Sequence, residues 1–259
     1  MTMRRLAACL LSGVFAISWL VLPGFGLIDL SVTWDADWPQ VLEAGWGLFA
    51  TAIVGAAFLM LAVRPRVSMP AVAQLAVATG SLAVSAVVAR ETGLLVLAAL
   101  LGLETAIVGG LLRGAWRDGM ELWRPFSRIS RLLLLLAAVG AVPWLAYALH
   151  MWSLNREERS DSDITMGIDH YAMQGALALA LVVLPLLAAL RADLHPFVPV
   201  CAGAAACYLG LVSLAWPDAA GGLGRAWSIA AMAWGLALVA ATFAHRIRSV
   251  PLDVGRPSG

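Results

Sequence analysis

Eight apolar stretches, bounded by charged or turn-forming residues, divide the chain at 6–27, 41–63, 71–89, 92–112, 132–152, 168–190, 197–216 and 226–245. Each is close to the roughly 20 residues that a helix needs to cross a bilayer, and none shows the strict alternation of a half-buried strand. The pattern predicts an all-α integral membrane protein with eight transmembrane helices. The opening run, "MTMRRLAACLLSGVFAISWLVLPGFG", has the basic start of a signal peptide but lacks a small-x-small cleavage site and stays apolar for a full span. It is expected to remain as the first helix.

Arginine placement tests the helix count. Arg4, Arg5, Arg64, Arg66, Arg113, Arg117, Arg124, Arg128, Arg131, Arg191, Arg246, Arg248 and Arg256 fall on the side of the termini, whereas Arg90, Arg156, Arg159 and Arg225 fall on the other. Basic residues mark the cytoplasmic side, so a multi-pass protein of the cell's inner (plasma) membrane is expected, with its N-terminus and C-terminus cytoplasmic. The segment "RGAWRDGMELWRPFSRISR" then reads as a cytoplasmic interfacial helix on anionic lipid, with no role for nucleic acid.

Composition sharpens the class. Hydrophobic residues make up 61% of the 259 and charged residues 13%, with mean hydropathy +0.86, against about 25% charged in soluble domains. All 17 basic residues are arginine, which fits a GC-rich bacterial gene and excludes a lysine Schiff base. Cys9, Cys201 and Cys207 lie in apolar runs without C-x-x-C spacing. There is no H-E-x-x-H, G-x-S-x-G or phosphate-cradling loop. Trp19, Trp34, Trp38, Trp46, Trp152, Trp216 and Trp227 fall near the outer interface, where an aromatic belt is expected.

A shift of 126 residues aligns Asp35 with Asp161, Asp37 with Asp163, Glu43 with Asp169 and Pro70 with Pro196 without a gap. Helices one to four and five to eight are therefore expected to be parallel copies, residues 1–126 and 127–259, related by an axis along the membrane normal. Small residues four apart, Ala98-Gly102-Ala106-Gly110 and Ala202-Ala206-Gly210, read as packing seams.

The acids gather on the outer side, opposite the arginines. Asp35, Asp37, Asp161 and Asp163 form a candidate acidic vestibule, although Asp37 and Asp163 also suit helix capping, Asp37 with Gln40 as a capping box. Glu43 and Asp169 are expected about 9 Å deeper, beyond the first turn. In "GIDHYAMQGA", His170 and Gln174 share a helix face, and His150 ends the preceding helix at the same level. Glu43, His150, Asp169, His170 and Gln174 could thus converge on a site suited to a divalent metal, a protonated amine or a proton relay. Glu104 lies near the centre of its span, where an ionised acid is costly, and is a candidate substrate or ion residue.

The resulting expectation is a small-molecule or cation transporter, permease-like, with an outer acidic vestibule, a mid-membrane Glu and a small cationic substrate or proton. The alternatives are a membrane-embedded enzyme with an outer-leaflet Asp/His site and a haem-binding or structural subunit of a membrane complex. For haem, His150 and His170 would pair outside and His195 and His245 inside. Metal, cofactor and catalytic residues are not specified by these patterns.

Overall fold

The structure, a computed structural model, describes residues 3–65, 68–117, 129–157, 161, 163–191, 194 and 196–248, with side chains to 112 in the fourth span and to 244 in the eighth. Most of the interfacial segment after Arg113 lies outside the described residues, as do His195 and the side chain of His245.

Eight helical spans are long and apolar enough to cross a membrane among the described residues. In chain order they comprise α1 (Met3–Leu20), a composite second span, α5 (Met69–Ala89), α6 (Thr92–Arg117), α7 (Arg131–Arg156), α8 (His170–Leu190), α9 (Phe197–Ala215) and α10 (Gly224–Arg248). The second span joins α3 (Gln40–Leu48), a π-helical segment (Phe49–Gly55) and α4 (Ala56–Val63). A short helix, α2 (Gly26–Val32), lies between the first two spans.

The first span ends earlier than its hydropathy suggests. The chain breaks at 21–25, where Pro23 offers no backbone N–H and Phe25 adopts a left-handed φ of 58°, and resumes as α2. Trp46 closes part of this break, its indole Nε1 donating to Gly24 O at 2.9 Å. The wider π turns beside it leave carbonyls without their ordinary donors. Gln74 of α5, fully buried, reaches across and donates from Nε2 to Ile53 O at 2.7 Å and to Ala52 O at 3.2 Å.

Another element absent from the apolar pattern is a hairpin before α8. Ile164–Thr165 (β1) pairs antiparallel with Ile168–Asp169 (β2) across Met166 and Gly167, whose φ values of 54° and 75° suit a two-residue type I′ turn. A residue with a Cβ at Gly167 would strain that turn. Buried Ile168 anchors the hairpin against Gly93 at the start of α6.

Within the first half α1 packs on α4 and α6, and α5 on α4 and α6; within the second, α7 packs on α8 and α10, and α9 on α8 and α10. Between halves, α5 meets α8, while α3 meets both α8 and α9. The composite second span, α5, α8 and α9 therefore form the centre. The outer helices present apolar side chains outward, such as Leu10 and Val14 of α1, Leu100 and Leu103 of α6, Val139 and Val142 of α7, and Ile229 and Leu236 of α10. In water such stripes would be a liability; they are the surface that a lipid bilayer solvates.

The packing seams are formed in part. Ala202 and Ala206 are buried, and a Cβ at Gly210 would lie 2.7 Å from Ser228 O of α10. In α6, by contrast, Ala106 is exposed and Gly110 faces open space. The aromatic belt is likewise partial: Trp34, Trp38 and Trp227 are exposed, but Trp19, Trp46 and Trp152 are buried and hydrogen-bonded inside the protein.

Candidate functional site

Three elements meet at the end of the bundle opposite the start of α1: α3, the hairpin and the first turn of α8. They bring together Glu43, Asp163 and His170, whose ligand-type atoms all lie within 4.8 Å of one another. Glu43 and His170 are buried, at 2% and 0% exposure, and Asp163 is half-buried. His170 Nδ1 lies 3.4 Å from Glu43 Oε1, and among the described residues neither atom makes a hydrogen bond. Leaving two such buried polar atoms unsatisfied is costly, so their mutual aim is informative.

The imidazole is held from the other sides. Its Nε2 meets Thr165 Oγ1 at 2.8 Å, and Trp46 stacks on it with ring centroids 4.9 Å apart. Its backbone N–H donates to Asp163 O at 3.0 Å, so the hairpin and the helix start are tied to each other. Asp163 in turn accepts from Ile164 N at 2.7 Å and hydrogen-bonds Glu43 through its side chain. A bond between two carboxyl groups requires one proton shared by the pair. Burial acts to raise the Asp163 pKa, but the Glu43 hydrogen bond, the Ile164 N–H and the nearby His170 outweigh it and hold the group below the ordinary aspartate value.

Asp29 adds a fourth ionisable group. It sits on α2, 5% exposed, with Oδ2 unpaired among the described residues. Burial pushes its pKa up to about 7, and the charge of Asp163 adds to the rise. Asp29 has no place in the site expected from the sequence; the break after α1, which folds α2 inward, is what buries it. Trp46 and Thr165 were also missed as site residues, the first because it was read as part of an interfacial belt.

One turn below His170, Gln174 is buried and donates from Nε2 to Tyr147 Oη at 2.7 Å and to Val41 O at 3.4 Å. It reaches α3 because that helix presents Gly45 there: a Cβ would fall 1.2 Å from Gln174 Oε1. Gln174 thus forms the floor of the site.

The remaining expected residues are placed otherwise. Asp169 does not lie deep in a helix; it is the N-cap of α8, accepting from Tyr171 N at 2.8 Å. Glu43 does not lie beyond the first turn either, because α3 begins at Gln40 and Glu43 belongs to that turn. The Asp37–Gln40 capping box is not formed: the N-cap of α3 is Pro39, and Gln40 Nε2 donates to Asp35 O at 3.1 Å. Asp35 and Asp37 are exposed and share a turn, Asp37 N donating to Asp35 Oδ1 at 3.0 Å. Asp161, also exposed, accepts from Tyr171 Oη at 3.0 Å.

His150 is exposed and does not join the cluster; it lines a separate groove of about 640 Å³ between α7 and α10, with Trp144, Trp227 and Trp234. His150 and His170 therefore face different spaces and do not make a bis-histidine pair. Glu104 is half-buried and accepts a hydrogen bond from Trp19 Nε1 at 2.8 Å, joining the peripheral helices α1 and α6.

Compared with known proteins, the chain matches no family model, no curated protein and no solved structure.

Proposed function

We propose that this multi-pass membrane protein is a permease-like transporter that admits a cation from the outer side to the Glu43–Asp163–His170 cluster, with Asp29 as a neighbouring acid that ionises only near neutral pH. The observation that carries this reading is a group of two buried acids, half-buried Asp163 and a buried histidine at the contact between the two halves of the bundle. Buried ionisable groups within membrane proteins are costly and are generally retained for binding or proton transfer. Their surroundings fit the same use: the break before α2 and the π segment of the second span both lie close by, and irregular backbone in membrane helices accompanies binding sites.

The exposed Asp35, Asp37 and Asp161, with half-buried Asp163, would serve as the vestibule that raises local cation concentration. Glu104 is assigned to helix association, because its acceptor is engaged by Trp19 away from the central helices. The reading includes cytoplasmic termini, from the arginine distribution, and an origin by duplication of residues 1–126 and 127–259. The duplication is supported by the same neighbour pattern in each half and by α5 meeting α8 as the second span meets α9.

The test is flux in proteoliposomes loaded with a pH-sensitive dye, with Zn2+, Mn2+ or a small primary amine added outside. Wild-type protein should give a pH change with at least one of these cations, and Glu43→Gln should abolish it. Wild-type flux no greater than that of empty liposomes, or an unimpaired Gln variant, would overturn the proposal.

A further inference from the structure

We propose that Glu43, Asp163 and His170 bind one divalent transition-metal ion of the Zn2+ class, a statement that rests on the transporter reading for its purpose but not for its test.

The donor spacing matches such an ion. Zinc sits about 2.0–2.2 Å from imidazole nitrogen and carboxylate oxygen, so neighbouring ligands of a tetrahedral site are about 3.4 Å apart. His170 Nδ1 and Glu43 Oε1 are separated by 3.4 Å and are unsatisfied among the described residues. Asp163 supplies the third ligand within the 4.8 Å that encloses all three atoms. Being half-buried, it occupies the side from which an ion would arrive.

The groups around the donors match it as well. A metal-binding histidine donates its other N–H to an acceptor that fixes the tautomer and the ring. Thr165 Oγ1, at 2.8 Å from Nε2, is placed to be that acceptor, and in the tautomer that donates to it the Nδ1 lone pair is directed at Glu43. Trp46 stacks on the ring and is itself pinned to Gly24 O, so rotation of the imidazole is blocked. An interhelical glue residue needs no such fixed lone pair.

The donor set also selects the ion. One nitrogen and two carboxylates suit Zn2+ or Mn2+, whereas thiophilic Cu(I) would want sulfur and Ca2+ or Mg2+ would want oxygen alone. Binding displaces the proton shared by Glu43 and Asp163, leaving two carboxylates and a neutral imidazole on the ion. With three protein ligands, one position stays open for water or an incoming group.

Equilibrium binding to the full chain in detergent, after chelator treatment, tests the site without requiring transport. Zn2+ titrated against a chromophoric competitor should bind at one ion per chain, and X-ray absorption should show a single imidazole among oxygen ligands. His170→Asn and Asp163→Asn should each weaken binding at least ~10-fold, while His150→Asn leaves it unchanged. Thr165→Val, a change to a positioning residue, should weaken it by ~10-fold with the one-imidazole signature retained. Absence of stoichiometric binding, wild-type affinity in both His170→Asn and Asp163→Asn, or a signature of two or more imidazoles would overturn the assignment. Amine-driven flux without zinc binding would reject the metal and spare the transporter; zinc binding without flux of any cation would do the reverse.

Discussion

Replacing Gly45 by alanine would probe the floor of the site with one methyl group. In an open helical position this change is favourable by about 0.8–1 kcal/mol, since Ala is the better helix former. Here the Cβ would lie 1.2 Å from Gln174 Oε1 and 2.4 Å from its Cδ, so the amide must leave its place. Gln174 is wholly buried, and its Nε2 donates to Tyr147 Oη at 2.7 Å. Forcing it out leaves buried polar groups unpaired, at about 1–3 kcal/mol, and overpacks the α3–α8 contact, at a similar ~1–3 kcal/mol. The sum, about 2–6 kcal/mol, outweighs the helix preference, and the net of about 1–5 kcal/mol should lower the thermal midpoint in detergent by roughly 2–20 °C. Because the cost arises from one pair, Gly45→Ala combined with Gln174→Ala should be more stable than additivity demands, by ~1–3 kcal/mol. A Gly45→Ala protein that melts at or above the wild-type temperature, or a strictly additive double variant, would refute the close approach of these helices.

Other outcomes follow from the same contacts. Glu104→Gln keeps an acceptor for Trp19 Nε1 and should melt near wild type, whereas Glu104→Leu strands a buried indole N–H and should cost about 1–3 kcal/mol; equal stability of the two would remove that hydrogen bond from the account. Asp29, raised to about 7 from 3.8, stays protonated in the folded chain while the unfolded chain ionises, so its contribution is full below about pH 4 and is lost as pH rises to about 7. Metal-stripped wild type should therefore lose melting temperature between pH 4 and pH 7 more steeply than Asp29→Asn, and identical slopes would count against the buried acid. Single cysteines at Ser31 and Ala220 should react with an impermeant thiol reagent on intact cells; protection of both would reverse the arginine-based orientation.

The spans were legible because their signal is long and cumulative: some twenty apolar residues cannot be mistaken for a loop. Interruptions inside a span leave no such trace. Pro23 and Gly24 sit in a run apolar enough to read as one helix to residue 27, and nothing in "FATAIVG" distinguishes π from α winding. Of the site, the pairing of Glu43 with His170 was foreseen because both belong to the outer ends of predicted helices. The approach of Asp163 to that pair was not, since a two-residue hairpin lies below the length at which alternation can be seen. Asp169 and His150 were drawn into the site by their proximity in sequence to His170. Helix phase then turned His150 away, and the later helix start made Asp169 a cap.

The π segment has an evolutionary implication of its own. Such a segment is what one inserted residue makes of an α-helix, and each α-helical residue turns the chain by about 100°. Deleting a single residue between 49 and 55 would restore ordinary winding with little change of phase, whereas winding all of them as α with none deleted would rotate everything before residue 49 by about that angle relative to α4. Glu43 and Trp46 would swing off His170 together while α4 kept its seat against α1 and α5. The composite span thus behaves as a keyed shaft, its wider winding taking up one residue so that the half bearing Glu43 and Trp46 keeps its face toward the second half of the protein.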